Sequence, residues 1–267
     1  MSIISVRNLA VEYAGRRVLD GLNLEIEAGE TMVLLGGSGA GKTTLLRNLL
    51  GLERPQSGSV VIKGVDITSC SPAELKRVRR SIGVSFQSAA LFNSLTVEEN
   101  VALALREHTS LAPSIIELDV WMKLAAVGLA DCGKLYPQEL SGGMRKRASV
   151  ARALALDPEI LVFDEPSAGL DPIVAAELDD LILFSKRVFQ MTVVVVTHEL
   201  ASAFRIADRI AMLYQGSFLA VGTKDEIGAS QNPHIRQFLD RVPDTIATAH
   251  VVESFFEKYL SSQEVAP

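Results

Sequence analysis

A glycine-rich loop between a strand-like run and a helix-like run most strongly limits what this chain can fold into. Thr31 to Leu35 is a short apolar run, and Lys42 to Leu50 has the apolar spacing of a helix. The loop between them, Gly36 to Thr43, fits the pattern G-x-x-x-x-G-K-[ST], in which backbone N–H groups wrap phosphates. In this pattern Lys42 reaches the terminal phosphates and Thr43 offers its hydroxyl to Mg²⁺. We therefore predict a nucleotide site rather than a chance glycine-rich turn, formed by Gly36, Gly37, Ser38, Gly39, Ala40, Gly41, Lys42, Thr43 and Thr44.

Two carboxylates follow a second buried-strand pattern. Ile160 to Phe163 is apolar and leads directly into Asp164 and Glu165. Ligands of open α/β sheets bind at the carboxyl ends of the strands, which is where both side chains would lie. We predict that Asp164 is a Mg²⁺ ligand and that Glu165 is the general base for an attacking water. The alternative is a carboxylate that stabilises a helix N-terminus before Pro166.

Composition excludes several classes of protein. With 267 residues, of which 48% are hydrophobic, the chain can form one large α/β domain. The net charge of -6 argues against a nucleic-acid partner, because phosphate binding needs clustered Lys and Arg. The absence of a long apolar run and of a basic N-terminal signal predicts a cytoplasmic chain without membrane spans. Cys70 and Cys132 are interpreted as reduced thiols, and His108, His234 and His250 lack metal-ligand spacing.

The remaining patterns predict the order of the elements. Alternating residues at Ile3 to Leu9 and Leu22 to Glu27 indicate antiparallel strands, and Thr192 to Val196 indicates another buried strand. Helical character dominates residues 88–140, and Gly216 to Gly222 suggests an edge hairpin. The fold class is therefore α/β, with a mostly parallel P-loop NTPase core, an N-terminal antiparallel β-layer and an inserted helical subdomain at about 88–140. We place the main domain at 1–241 and a C-terminal extension, with an amphipathic helix at Val251 to Leu260, at 242–267.

A third motif points to a particular family. Leu140 to Met144, with the sequence LSGGM, stands just upstream of the carboxylates and precedes a helix-like run. Gln87 follows an apolar strand, Ser167 to Asp171 follows the carboxylates, and His198 ends the run of valines. These motifs, in this order, resemble the ATP-binding cassette (ABC) ATPases over about residues 3 to 230.

The resemblance implies roles for further residues. Tyr13 corresponds to the aromatic residue that stacks on adenine, although packing on the β-layer is an alternative. Gln87 corresponds to a Mg²⁺ and water contact, and His198 to a contact of the γ-phosphate. With Lys42 and Glu165 these two residues form the expected catalytic set. Ser141, Gly142, Gly143 and Asp171 would bind the ATP held by the opposite protomer of a head-to-tail homodimer. Met144 replaces the family's usual Gln, and we expect activity to survive this change.

The cargo is indicated by finer similarities. Residues 86–101, the run Leu140 to Arg147 and the run Arg236 to Asp240 resemble the Mla-type ATPases that power phospholipid transport with MCE-domain proteins. This implies a peripheral subunit on the cytoplasmic face of the inner membrane, with a permease, an MCE lipid-binding protein and a small STAS-domain regulator as partners. A polar amino-acid or other solute importer is the alternative, and a non-transport ABC ATPase that acts on nucleic acid is a weaker one.

Four further features can be interpreted from the sequence. The apolar segment after Gln87, with Ala89, Ala90, Leu91 and Phe92, is a candidate permease contact, or ordinary core of the helical subdomain. The basic run Arg145 to Arg147 is interpreted as a solvated helix face. Trp121 is expected in the core or at a partner contact. The tail helix could dock on its own cassette or reach the second protomer.

Overall fold

The computed structural model describes residues 1–243, and a six-stranded sheet forms its centre. The sheet order is β10-β9-β3-β8-β7-β6, and all neighbours are parallel except the antiparallel hairpin β9/β10. The strands are β3 Thr31–Leu35, β6 Ile82–Ser85, β7 Ile160–Asp164, β8 Thr192–Thr197, β9 Arg209–Tyr214 and β10 Ser217–Thr223. Every residue of β3 and β8 is buried, as expected for parallel strands covered on both faces. The predicted mostly parallel core and its edge hairpin are confirmed.

A second sheet is antiparallel and packs over the first. Its order is β2-β1-β4-β5. The strands are β1 Ser2–Tyr13, β2 Arg16–Glu27, β4 Ser57–Ile62 and β5 Val65–Asp66. Ala14 and Gly15 join β1 to β2 with φ values of 48° and 79°, the left-handed conformation that tight hairpin turns need. The predicted N-terminal β-layer is confirmed, and β4 and β5 extend it.

Nine α-helices lie within the described residues. They are α1 Lys42–Leu49, α2 Pro72–Arg80, α3 Val97–His108, α4 Pro113–Ala126, α5 Gly142–Leu154, α6 Pro172–Phe189, α7 Leu200–Ile206, α8 Lys224–Gly228 and α9 Pro233–Leu239. Helix α1 contacts both β2 and β8, so it lies between the two sheets, and apolar residues of α1 and both sheets form one core cluster. Helices α3 and α4 form the inserted helical subdomain. Between residues 1 and 243, no helix has the length and apolar character that crossing a bilayer requires.

The described residues divide into two compact units, residues 1–229 and a second that begins at Ser230. The first contains both sheets and helices α1 to α8. Within the described part of the second, Asn232 caps α9 by accepting a hydrogen bond from the backbone N–H of His234. The helix predicted at Val251 to Leu260 lies outside the described residues, and it stays a prediction together with the domain boundary at residue 241.

The sheet order brings the predicted chemistry to one edge. Strand β8 lies between β3 and β7, and all three run parallel. The glycine-rich loop follows β3, Glu165 follows β7, and His198 follows β8. Because carboxyl ends of parallel strands meet at the same edge, these segments are neighbours in space although they are far apart in sequence.

Candidate nucleotide-binding site

Lys42 organises the phosphate loop from within. Its side chain is buried, and its Nζ donates hydrogen bonds to the carbonyl oxygens of Gly36 at 2.7 Å and Gly37 at 3.0 Å. The loop comes so close to the sheet that a Cβ on Gly36 would lie 2.3 Å from the carbonyl oxygen of Leu213. Gly41, the last residue before α1, has φ of 105°, a conformation that only glycine adopts readily. The conformation of the loop therefore depends on its glycines, and the hydrogen bonds of Lys42 stabilise it.

A cavity of ≈ 530 Å³ opens in front of this loop. Its lining contains most of the residues predicted for the site: Ser38, Gly39, Ala40, Gly41, Lys42, Thr43, Thr44, Gln87, Asp164, Glu165 and His198. Val18 on β2 also lines it and was not predicted, since a lone valine in an alternating strand carries no sequence motif. The structure thus gathers the phosphate loop, the carboxylates, Gln87 and the histidine around one volume.

Glu165 is the most contacted carboxylate in this cavity. Its Oε2 lies 2.8 Å from Nδ1 of His198 and 3.3 Å from the hydroxyl of Thr197, and its Oε1 lies 3.8 Å from Nζ of Lys42. Its backbone is in the left-handed region with φ of 46°, and its N–H donates to the carbonyl of Val196 at 2.8 Å. Strained backbone of this kind is common where a side chain must be aimed at a reaction centre. The geometry places the carboxylate between the lysine and the histidine.

The cavity perturbs the charges that line it. Burial lowers the pKa of Lys42, and the nearby carboxylates of Glu165 and Asp164 oppose that shift. Burial also raises the pKa of Asp164, and the charge of Glu165 adds to this effect. A bound cation would relieve the repulsion between the two carboxylates. Thr43, Gln87 and Asp164 offer hydroxyl, amide and carboxylate oxygens, which are the hard ligands that suit Mg²⁺, so the donor set fits the ion.

Lys146 is a residue of the site that the sequence did not reveal, and the solvated helix face expected for Arg145 to Arg147 is wrong at this position. Lys146 is only 7% exposed, and its Nζ donates to the carbonyl oxygens of Gln87 at 2.7 Å and Glu165 at 3.1 Å. Burial lowers its pKa, against the opposing charges of Asp164 and Glu165. The sequence could not reveal this, because three consecutive basic residues on a helix usually face water.

Ser141, Gly142 and Gly143 surround a second cavity of ≈ 570 Å³, which we call the signature cavity. Ser141 is the N-cap of α5, and its hydroxyl accepts a hydrogen bond from the N–H of Met144 at 3.2 Å. Asp171 also lines this cavity and caps α6 by accepting from the N–H groups of Ile173 and Val174. Within the described part of the chain, the two cavities share no lining residue. The residues expected to act in trans are therefore grouped together, away from the phosphate loop.

Tyr13 lies outside the lining of the phosphate-loop cavity. It is 44% exposed, and its hydroxyl donates a hydrogen bond to Glu53 that raises the pKa of Tyr13. The exposed ring is therefore not part of the core of the β-layer. Its stacking on adenine stays a prediction.

The segment after Gln87 is only partly exposed. Phe92 is 53% exposed, whereas Ala89 is buried, and Arg152 donates hydrogen bonds to the carbonyls of Ala89 and Ala90. Asn100 fixes the end of this segment, since its side chain accepts from the N–H of Phe92 at 2.7 Å and donates to the carbonyl of Phe92 at 3.1 Å. The segment is thus an anchored loop that presents the aromatic ring of Phe92 outward. On α4, further apolar side chains are exposed: Ile115, Leu118, Trp121 and Met122.

The structure also bears on the cysteines and histidines. Cys70 and Cys132 are both free and half-buried. Over residues 1–243, no group of three or more His, Cys, Asp or Glu side chains is arranged to hold a metal ion. His250 lies outside the described residues.

A phosphate loop at the carboxyl edge of a parallel sheet, with two carboxylates at the end of a second strand at the same edge, defines a P-loop nucleotide-binding protein. The pattern of the ABC transporter family matches residues 19–168. The chain belongs to this family.

Curated relatives cover most of the chain. It is 40% identical over 238 residues to the intermembrane phospholipid transport system ATP-binding protein MlaF of Haemophilus influenzae, covering 89% of this chain and 90% of that protein. With MlaF of Escherichia coli K12 it shares 39% identity over 243 residues, covering 91% and 90% of the two chains. The probable ribonucleotide transport ATP-binding protein mkl of Mycobacterium bovis is 44% identical over 237 residues, and the match covers 89% of this chain but only 66% of that protein.

Solved structures agree with the fold. A dimeric ATP-binding cassette in a post-hydrolysis state, bound to ADP and phosphate, matches with a TM-score of 0.76 and 30% identity over 82% of this chain and 98% of that one. The cassette cbiO1 from Clostridium perfringens, part of the ABC transporter complex cbiONQ, matches with a TM-score of 0.80 and 29% identity. That match covers 94% of this chain and 99% of cbiO1. The predicted ABC ATPase fold is confirmed.

Proposed function

We propose that this chain is the ATP-binding and ATP-hydrolysing subunit of an ABC transporter that moves phospholipid between membranes. The observation that carries the hydrolytic part is the contact of Glu165 with His198 beside Lys42, at the mouth of the phosphate loop. The lipid part is supported by the two MlaF relatives, each of which is matched over 90% of its length.

ATP binds with its phosphates on the backbone N–H groups of the loop and on Lys42, at the N-terminus of α1. Mg²⁺ held by Thr43, Gln87 and Asp164 would supply additional positive charge to the phosphates. Tyr13, exposed on β1, stacks on the adenine. The phosphate loop thereby orients the terminal phosphoryl group toward Glu165.

Glu165 acts as the general base. Its Oε1 accepts the proton of a water molecule as that water attacks the terminal phosphorus, and the products are ADP and phosphate. His198 and Thr197 hold Oε2 of the same carboxylate, so that Glu165 keeps one orientation. Lys42 and His198 stabilise the negative charge that develops on the phosphoryl oxygens.

A second copy of the chain completes each site. The signature cavity of one protomer, with Ser141, Gly142, Gly143 and Asp171, closes on the ATP held by the phosphate loop of the other. The separation of the two cavities within one chain supports this arrangement, as does the dimeric state of a similar cassette bound to ADP and phosphate.

The dimer works on the cytoplasmic face of the inner membrane, bound to an integral-membrane permease. Ala90, Leu91 and Phe92 contact that permease, and Phe92 is exposed for this contact. An MCE-domain lipid-binding protein and a STAS-domain protein complete the assembly. Nucleic acid is not a partner, because the chain carries a net charge of -6.

Substitution of Glu165 tests the hydrolytic role. Glu165→Gln keeps the size of the side chain but removes the base, so we expect ATP hydrolysis in the assembled complex to fall by about 10²–10⁴-fold while ATP still binds. Glu159→Gln is the matched control, since Glu159 is exposed and pairs with Lys63. Hydrolysis by Glu165→Gln at the wild-type rate would refute the assignment.

The cargo and the permease contact need separate experiments. Purification of the native complex should recover a permease, an MCE protein and bound phospholipid, whereas a solute-binding protein would instead support a solute importer. Phe92→Asp should reduce co-purification with the permease without weakening ATP binding. Assembly that is unchanged in this variant would rule out the proposed contact.

A further inference from the structure

Lys146 occupies an unusual position for a lysine. It lies on α5, five residues after the N-cap Ser141, which is about one and a half helical turns. Its side chain points into the protein, and its Nζ donates to two backbone carbonyls, Gln87 at 2.7 Å and Glu165 at 3.1 Å. The neighbouring basic residues do not share these contacts. Arg145 donates to the carbonyl of Leu140, and Arg147 pairs with Glu177.

The two carbonyls belong to the segments that carry the proposed chemistry. Gln87 is the second residue beyond β6, and Glu165 is the first residue beyond β7. These strands are parallel neighbours in the sheet. Each segment also lines the phosphate-loop cavity with its side chain. One ammonium group therefore joins the backbones of the proposed Mg²⁺ ligand and the proposed base.

A buried lysine is costly and persists only where it is well compensated. Here the compensation comes from the two carbonyl oxygens and from the nearby charges of Asp164 and Glu165. Removal of the ammonium would leave the carbonyl of Glu165 without this donor. Because Glu165 is already in the left-handed backbone region, its carboxylate could then turn away from the nucleotide.

Helix α5 itself is seated tightly against the sheet. A Cβ on Gly83 of β6 would lie 2.1 Å from the carbonyl oxygen of Ala153, so the helix and strand backbones are in close contact. Ser149 and Ser85 also share a hydrogen bond of 3.0 Å between their hydroxyls. Lys146 thus extends from a fixed helix whose N-terminal end carries Ser141, Gly142 and Gly143.

We propose that Lys146 is a positioning residue for ATP hydrolysis, which sets the separation of Gln87 and Glu165 and links both to the helix that carries the signature motif. This inference rests on the proposed function. When the N-terminus of α5 engages the nucleotide of the opposite protomer, Lys146 transmits the position of α5 to the base of its own site. Occupation of one site thereby influences hydrolysis in the other.

The test measures ATP hydrolysis by the full-length chain in the assembled complex, beginning with two substitutions of Lys146. Lys146→Met removes the donor, and we expect kcat to fall by about tenfold or more, since misplacement of a catalytic group by 1 Å can cost 10²-fold. The KM for ATP and the equilibrium affinity for a non-hydrolysable ATP analogue should change by less than about threefold, because the phosphate loop is untouched. Lys146→Arg should restore most of kcat, since a guanidinium group can also donate to two carbonyls.

Lys123→Met is the matched control. Lys123 is as deeply buried as Lys146, but it lies on α4 and pairs with Asp119 and Asp157. Its loss should lower the thermal midpoint while kcat stays close to wild type. A merely structural role of Lys146 would give the same pattern as this control.

Each outcome decides the question. An unchanged kcat in folded Lys146→Met overturns the proposal, and so does an equal loss of kcat in Lys146→Arg. If Lys146→Met does not fold, Lys146→Gln replaces it, and failure of both to fold would show a structural role and reject positioning. If wild-type protein hydrolyses ATP and Glu165→Gln does not, a normal kcat in Lys146→Met rejects this inference alone. An inactive wild type would instead reject the proposed function.

Discussion

At the scale of single residues, the phosphate loop is constrained by what lies beside its glycines. A Cβ on Gly36 would meet the carbonyl oxygen of Leu213 at 2.3 Å, whereas a Cβ on Gly37 would meet nothing within 4 Å. Leu213 lies on β9, whose backbone is held between β10 and β3. Because this backbone cannot easily shift, Gly36→Ala should lower the free energy of unfolding by about 1–3 kcal/mol. Gly37→Ala should change it by less than about 0.5 kcal/mol. Urea denaturation of the nucleotide-free protein measures both, and equal losses would contradict this packing argument.

Asp179 gives a residue-scale prediction that depends on pH. It is buried on α6, and its Oδ1 has no hydrogen-bond partner among residues 1–243. Burial raises its pKa from 3.8, against the opposing effects of a hydrogen bond with Ser202 and the charge of Arg205. Well below pH 3.8 the carboxyl is protonated in the folded and unfolded chains alike. As pH rises, the unfolded chain loses its proton first, so Asp179 increasingly destabilises the fold.

Asp179→Asn should therefore be more stable than wild type at pH 7, and this advantage should shrink toward pH 4. The measurement is the free energy of unfolding in urea across that range. Asp20→Asn is the control, because Asp20 is exposed and pairs with Arg17 on the surface. An advantage that does not depend on pH would show that the charge of Asp179 is not responsible.

Sequence reasoning found most of the side chains that line the phosphate-loop cavity. It missed Lys146, which contacts the backbone of two of these residues. Lys42, Glu165 and His198 each follow a strand or loop pattern that fixes their place at the sheet edge. Lys146 has no such pattern, since its burial depends on how closely α5 approaches β6. That approach depends on the contact of Ala153 with Gly83, and Gly83 is distant in sequence from the basic run. Contacts of this kind become visible only when the elements are packed.

At the scale of elements, two serines that cap helix N-termini allow an effect on stability to be distinguished from an effect on catalysis. Ser141 caps α5, and Ser71 caps α2 by accepting a hydrogen bond from the N–H of Glu74. Replacement of either serine by alanine should lower the free energy of unfolding by about 1 kcal/mol. Only Ser141→Ala should also slow ATP hydrolysis, by up to about 10²-fold, because its hydroxyl is the proposed donor to the nucleotide of the second protomer.

Urea denaturation and steady-state hydrolysis of the two variants make this comparison. Equal stability losses with unequal rates would support the role of Ser141 in trans. If Ser71→Ala slows hydrolysis as much as Ser141→Ala does, the effect reflects general destabilisation instead.

Some strands can be predicted from their own sequence pattern, and others cannot. Strands β3, β7 and β8 are nearly continuous apolar runs because the sheet is covered on both faces, so pattern alone predicts them. Strands β4 and β5 were not predicted. Strand β4 pairs with β1 across a long sequence separation, and β5 has only two residues. Their existence depends on a partner strand and not on a local pattern.

At the scale of the whole molecule, the two cavities of one chain cannot serve the same nucleotide if each site is shared between protomers. Lys42 lines only the phosphate-loop cavity, and Ser141 lines only the signature cavity. A dimer of Lys42→Ala chains therefore lacks the lysine in both sites. A dimer of Ser141→Arg chains has both signature cavities obstructed. We expect each variant alone to be nearly inactive.

Mixing the two variants distinguishes shared sites from sites within one chain. In a mixed dimer, one site combines the intact Lys42 of one chain with the intact Ser141 of the other, and the second site contains both defects. Random exchange makes about half of the dimers mixed, so hydrolysis should recover to about a quarter of the wild-type rate if sites act independently. Subunit exchange is verified with labelled chains.

If exchange is complete and activity does not rise, either the sites are not shared or one intact site is insufficient. A covalently linked dimer that carries both substitutions in one protomer and none in the other separates these cases. Independent sites within one chain would leave this dimer half active, whereas shared sites would leave one defect in each site and make it nearly inactive.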